Sequence, residues 1–347
     1  MSEALTTRKR ASRATVTISA VAKHAGVSVG TVSRVLNNAD NIGSDVRLRV
    51  RKAMDALGYV PNHAARSLKR RLTRQIALVV PDLANPVYTQ MAVGVQREAA
   101  ASGYHLTLVN SGGDWAEERL ALQSLEERQV DGAILCSLRV TPGFIRSVTS
   151  HADRVCVIGG LPLDCPVDNV RLDSVRGAEL AVAHLLASGR SKIAFMNGTV
   201  GTVPFDARAR GYRSALEQAG VEFDGRLVVS GDFTMAGGYG AVDLLRDQGA
   251  GFDGLLCAND AMALGAMRRL QELGVDVPAD VAVVGMDDIE AARMSTPTLT
   301  TVALLARERG RIACELLLRR LGDGSAGEPE KITVLPKLIE RESTAVT

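Results

Sequence analysis

The chain has 347 residues, 46% hydrophobic and 23% charged, which provides for two or three domains with sizeable cores and excludes wholesale disorder. No run of 18 or more apolar residues is present to cross a membrane. The formal charge of +2 conceals a division, because residues 1–74 hold 15 Lys and Arg against four acids, a balance of +11, and the remainder carries −9. A basic head on an acidic body implies a polyanionic partner, since phosphates are met by clustered Lys and Arg. The first 13 residues lack the apolar stretch of a secretory leader. Five cysteines stand far apart with no C-x-x-C pair, so a reducing cytosol is expected and neither a disulfide framework nor a zinc site.

Residues 1–15 read as a basic, disordered arm. Val21, Ala22 and Ala25 then recur at helical spacing, Gly26-Val27 breaks the run, and Ser28 is placed to cap a second helix whose apolar face is Val32, Val35 and Leu36. A third helix is expected from about Ser44 to Leu57, with Val46, Val50, Ala53, Met54 and Leu57 on one face and Gly58 as its stop. Two short helices joined by a tight turn, the second offering polar side chains from its amino end, meet the needs of a helix-turn-helix. Thr31, Ser33, Arg34 and Asn37 are left to face phosphates or base edges.

From Gln75 the texture changes. Short apolar strands are expected at Ile76–Val80, His105–Val109, Ala133–Cys136, Val155–Ile158, Ile193–Met196, Leu255–Ala258 and Val281–Val284. Helical stretches lie between them, as parallel βαβ units require. Continuous apolar strands predict sheets covered on both faces. Roughly 270 residues is large for one open sheet, so two α/β lobes around a cleft are expected. Gly26-Val27-Ser28-Val29-Gly30 has the letters of a nucleophile elbow but lies between helices. The G-x-G-x-x-G at Gly249 to Gly254 leads into a strand instead of following one. The five histidines are scattered, with no metal-binding pair.

The segments VAKHAGVSVGTVSRVLNN, ALGYVPNHAARSLK, CANDAMALGAM, VGMDD and PTLTTV carry a resemblance to the lactose-repressor family of bacterial transcription regulators. It runs from residue 16 to about 343, and PKLIERES with ARSLK is most similar to the purine-repressor branch. The resemblance implies a helix-turn-helix head over 16–61, a hinge helix and linker over 62–74, and a two-lobe α/β body of the periplasmic-binding-protein type over 75–347. Lobe one would take about 75–160 and 303–332, and lobe two about 161–302 and 333–347. It further implies a cytoplasmic homodimer that represses from double-stranded operator DNA under a small-molecule effector, with no cofactor, metal, catalytic activity or membrane.

By the same resemblance the DNA contacts are Thr17, Ser28, Val29, Gly30, Thr31, Ser33, Arg34, Asn37 and Asn41 in the head, and Leu68 and Lys69 in the hinge. Leu68, read alone an ordinary linker residue, becomes a wedge that opens a central base step from the minor groove. Leu68→Ala is therefore expected to weaken specific operator binding and to spare binding to random DNA in a mobility-shift titration. Equal loss on both would rule out a wedge. Val29 and Gly30 depart from the longer polar side chains usual at their positions, which moves base discrimination toward Arg34, the hinge and DNA deformability.

The resemblance places the effector among Asn85, Tyr88, Arg208, Phe233, Asn259 and Asp287, although a residue such as Asn259 at a strand end is often simply a helix cap. Gly159-Gly160 stands where sugar-responsive members carry an acid, which disfavours a plain hexose. A sugar acid, polyol, nucleoside or nucleobase remain, the carbohydrate-derived class first. The alternatives are a regulator controlled by a phosphoprotein, or a small-molecule-binding protein or enzyme on the same body.

Overall fold

A computed structural model describes residues 16–36, 41–59, 72–323 and 327–345, which fall into two units divided after Leu72. In the first, Thr17 caps helix α1 (Ile18–Ala25) by accepting the Ala20 N–H, and Gly26 ends it at φ +65°, a left-handed turn suited to a residue without a Cβ. Helix α2 (Val29–Leu36) starts from Ser28, whose hydroxyl accepts the Thr31 N–H at 3.1 Å. Helix α3 (Ser44–Leu57) stops at Gly58, φ +62°. Val21, Ala22, Ala25, Val32, Val35, Val50 and Ala53 close a core of the unit's own. All three helices lie where the apolar spacing put them.

The second unit begins with β1 (Gln75–Val80), α4 (Pro86–Ala101), β2 (His105–Asn110), α5 (Trp115–Glu126), β3 (Gly132–Cys136), α6 (Pro142–Thr149), β4 (Val155–Ile158) and β5 (Asp168–Leu172). The chain then crosses into α7 (Ser174–Ala187), β6 (Ile193–Asn197), α8 (Val203–Gln218), β7 (Val228–Ser230), α9 (Met235–Asp247) and β8 (Gly254–Cys257). There it continues through α10 (Asp260–Glu272), β9 (Ala282–Met286), α11 (Glu290–Met294) and β10 (Thr300–Ala303). It returns for α12 (Ala306–Asp323) and β11 (Lys331–Val334), and crosses once more to β12 (Lys337–Ile339).

Two sheets result. The first has the order β11-β5-β4-β3-β1-β2 and is parallel throughout; the second has β12-β10-β9-β8-β6-β7, with only the β10–β12 pair antiparallel. Sequence order reverses between β1 and β3 in one and between β6 and β8 in the other. Both reversals leave a crevice at the carboxyl ends of the strands, where open α/β sheets bind ligands.

Strands β3, β4, β6, β8 and β9 are buried along their whole length, as continuous apolar runs require. The edge strand β2 is the exception, exposed or half-buried throughout. Strands β5, β7, β10, β11 and β12 were not expected, being three to five residues long and partly polar. They also correct the lobe boundaries. Residues 168–172 pair with β4, and 331–334 pair with β5, so both segments belong to the first sheet.

The helices on each face cross at glycines. A Cβ on Gly94 of α4 would lie 2.0 Å from the Arg307 carbonyl oxygen, and one on Gly310 of α12 would lie 2.3 Å from that of Met91. Gly238 and Gly265 do the same for α9 and α10, at 2.1 Å from the Met262 oxygen and 1.9 Å from the Met235 oxygen. Such contacts leave no room for any side chain, which fixes the helices that carry cleft residues to within a few tenths of an ångström.

Candidate functional site

On the head, Val32 and Val35 face the core, while Val29 (43% exposed), Gly30 and Arg34 lie on the outside of α2 and Thr31 and Ser33 are half-buried. Thr17 and Ser28 use their hydroxyls as helix caps, and the Ser28 and Thr31 hydroxyls share a hydrogen bond of 2.9 Å. Asn41 is exposed at the approach to α3. A Cβ on Gly30 would meet nothing closer than the Ser28 hydroxyl at 3.6 Å, so packing does not demand glycine there and the smooth spot belongs to the outer surface. Asn37, Leu68 and Lys69 lie outside the described residues.

In the body, the six expected residues line one cleft of about 220 Å³ between the lobes. Asn85 follows β1, Asn259 follows β8, and Asp287 follows β9; Tyr88 sits in the first turn of α4 and Arg208 in the second turn of α8. Pro81, Leu138 and Thr199, from the loops after β1, β3 and β6, complete the walls. The lining thus comes from the strand ends on either side of both order reversals.

The two asparagines are partly committed to the backbone. Asn85 caps α4 by accepting the Val87 N–H. Asn259 caps α10 by accepting the Met262 N–H, and its amide donates to the Phe233 carbonyl at 2.9 Å. That bond holds Phe233 in a left-handed conformation, φ +67°, with its ring laid against Gly198, where a Cβ would come within 2.0 Å of the ring. Asn259 therefore positions the aromatic wall. The Arg208 guanidinium stands 5.7 Å from the Phe233 ring centroid, a cation–π distance.

Asp287 is buried at φ +121° and donates its N–H to the Val302 carbonyl. Burial raises its carboxyl above the usual range, opposed by the Arg208 and Arg309 guanidinium groups. Tyr88 is pushed up by burial, so its hydroxyl stays a donor. Asp260 clamps the neighbouring loop by accepting the Ile289 N–H and the Thr301 hydroxyl. Burial, and then the charge of Asp287, hold its carboxyl well above the ordinary value.

Sequence reasoning also missed Glu118. It is 3% exposed on α5 and accepts the Ser137 hydroxyl at 3.1 Å, beneath the loop that follows β3. Burial pushes its carboxyl from about 4.5 up to about 7. The folded chain thus holds a proton between those values that the unfolded chain has lost, and stability falls as pH rises through that window. Glu118→Gln should match the parent near pH 4.5 and exceed it by about 2 kcal/mol at pH 8, after allowing for residual solvent. Denaturant melts at the two pH values read this directly, and equal gaps at both would mean the carboxyl is ionised in the fold.

Among the described residues no helix is long and apolar enough to cross a membrane, and no cluster of acids, histidines and cysteines is arranged to hold a metal. Residues 17–62 match the bacterial regulatory proteins of the lacI family, and residues 182–344 match the periplasmic binding protein-like domain. The transcriptional repressor PurR of Vibrio atlanticus (strain LGP32) is 34% identical over 94% of this chain and 98% of its own length. The transcriptional regulator CelR of Thermobifida fusca is 37% identical over 94% and 98%. Among solved structures, the lac repressor dimer bound to operator and the anti-inducer ONPF superposes with a TM-score of 0.85 at 28% identity, over 95% of this chain and 99% of that one. A complex of CelR with cellobiose gives a TM-score of 0.72 at 34% identity, over 94% and 99%.

Proposed function

The chain belongs to the lacI family of bacterial regulatory proteins, and from that premise we propose that it is a transcriptional repressor holding operator DNA as a homodimer in the cytoplasm, with its affinity set by a small polar metabolite in the cleft between the lobes. The observation that carries this reading is the convergence of Asn85, Tyr88, Arg208, Phe233, Asn259 and Asp287 on one cleft at the carboxyl ends of both sheets. An aromatic wall, an arginine, an acid and a phenol form a recognition set for a polar ring or chain, with no nucleophile–base pair among them. Thr17 and Ser28 set the pitch of the two head helices, and Val29, Thr31, Ser33, Arg34, Asn37 and Asn41 meet the major groove. Leu68 and Lys69 act from the minor groove.

The mechanism is linkage. A ligand touching both lobes favours one lobe arrangement, and the arrangement changes DNA affinity by the difference in its binding energy between the two states. The test is a thermal-shift screen of the full chain against sugars, sugar acids, polyols, nucleosides and bases, followed by operator titration with each hit. A hit that raises the melting temperature and shifts operator affinity supports the reading, and the sign of the shift separates induction from co-repression. A hit without an effect on operator affinity would count against it.

A further inference from the structure

The cleft adjoins a second chamber of about 460 Å³, which shares Tyr88, Arg208 and Asp287 with it and is bounded by β5 and α12. Its charge differs from that of the first cleft. The first cleft sets Arg139 and Arg208 against Asp82, Asp232 and Asp287. The second chamber sets Arg171, Arg208, Arg210 and Arg309 against only Asp173 and Asp287. Asp173 is already engaged as the cap of α7, accepting the Arg176 N–H at 2.8 Å.

Two of those guanidinium groups are more than nine-tenths buried, Arg208 at 5% exposure and Arg309 at 8%. Nε and Nη1 of Arg208, Nε of Arg309 and Nη1 of Arg171 are all buried without a hydrogen-bond partner. Arg320, further along the helix that carries Arg309, donates to both carboxylate oxygens of Asp168. Buried N–H groups without an acceptor are costly, and several cations around one chamber share a single unengaged acid, Asp287. The planar donor fork of arginine is matched by a carboxylate or a phosphate, and a neutral hydroxyl cannot offset the charge.

We propose that the effector is an anion: a small polyhydroxylated compound whose carboxylate or phosphate enters the second chamber and accepts hydrogen bonds from Arg309 and Arg171. Arg208 lies at the junction, and the hydroxyl-bearing part occupies the first cleft against Phe233, Asn85 and Asp287. This inference rests on the reading of the cleft as the effector site. It adds Arg309 and Arg171 as the residues that select acid over neutral sugar.

The test uses the full chain and an Arg309→Met variant. Removing an unpaired buried charge is expected to leave the ligand-free variant no less stable than the parent. Should it fail to fold, Arg171→Met and the fork-deleting Arg309→Lys replace it. Melting is followed in inorganic phosphate, sulfate, D-gluconate and D-glucose 6-phosphate, with sorbitol and D-glucose as neutral counterparts, at ionic strength matched with chloride. The parent should be stabilised by the anions, and Arg309→Met should weaken their apparent affinity by about ten- to a hundredfold, the loss of one or more charge-assisted hydrogen bonds. A preference for gluconate assigns the group as carboxylate and a preference for glucose 6-phosphate assigns it as phosphate; both uphold the inference. Anions that do not stabilise the parent, or that stabilise parent and variant alike, overturn it. Stabilisation by sorbitol or glucose alone also overturns it, while keeping the cleft as a neutral-ligand site. Gluconate held through Arg309 with operator affinity unchanged upholds the anion site and sinks the regulatory reading instead.

Discussion

Gly310→Ala is expected to cost about 2–3 kcal/mol and lower the melting temperature by roughly 5–10 °C, a large effect for one methyl group. The new Cβ would stand 2.3 Å from the Met91 carbonyl oxygen, and backbone cannot rotate away as a side chain can. Helices α4 and α12 would have to separate along their length. Gly240→Ala provides the opposite sign in the same molecule. Gly240 lies within α9, exposed, with nothing within 4 Å of the new atom. There the gain in helix propensity alone acts, about 0.5–1 kcal/mol of stabilisation. Calorimetric melts of the two variants should move in opposite directions, and a Gly310→Ala chain as stable as the parent would contradict the close helix crossing. Because Arg309 precedes Gly310, the same variant should also loosen the second chamber.

The second large effect is expected of Asp287→Asn. Arg208 belongs to the second lobe and Arg309 to the first, and the Asp287 carboxylate acts on both. It is therefore placed to sense whether the lobes are closed on a ligand. A coupling of about 1–3 kcal/mol corresponds to a 5- to 150-fold change in operator affinity between free and liganded states. With a neutral amide in its place that ratio should fall to about one, measured by operator titration with and without whichever compound stabilises the parent. Retention of the full ratio would remove Asp287 from the coupling. A chain that no longer folds would make it a structural acid.

The fold was legible in proportion to how strongly each element is patterned. The head helices declare themselves through Val21, Val32 and Val50 at helical spacing and through Gly26 and Gly58 as stops. The buried parallel strands declare themselves as unbroken apolar runs. Strand β5 does not, because Asp168-Asn169-Val170-Arg171-Leu172 is short and polar and is held in its sheet from both sides by β4 and β11, the latter some 160 residues away. No local window sees that pairing. The lobe boundary followed β5 into error.

Arg208, Phe233 and Asp287 entered through the family resemblance and not through any local pattern, and the structure brings the three to one cleft. Arg309 lies outside the motifs that carry the resemblance. It stands in a helix with Arg307 and Arg311 close by, and only the packing of α12 on α4 turns that one inward, while Arg307 is exposed and Arg311 half-buried. Asn259 also entered through the resemblance, yet its two protein hydrogen bonds shape the wall more than they offer a ligand contact. Glu118 gave no signal at all, being one of two adjacent acids in the first turn of an amphipathic helix.

The three crossings between the sheets, at Asp173, at Leu304-Leu305 and at Leu335-Pro336, bear on how the chain is made. Strands β11 and β12 are the last to leave the ribosome, so neither lobe can complete its sheet until residue 334 or later has emerged. The head has its own core and ends at residue 59 in the described structure. At 5–20 residues per second, roughly 14–55 s of synthesis separate a foldable head from a finished body. Throughout that interval a growing chain can display a recognition helix with no ligand-sensing lobes behind it. Nascent chains are thus able to touch nucleic acid before they can be regulated, and the body must meanwhile keep the open edges of β5 and β10 from pairing with a neighbour.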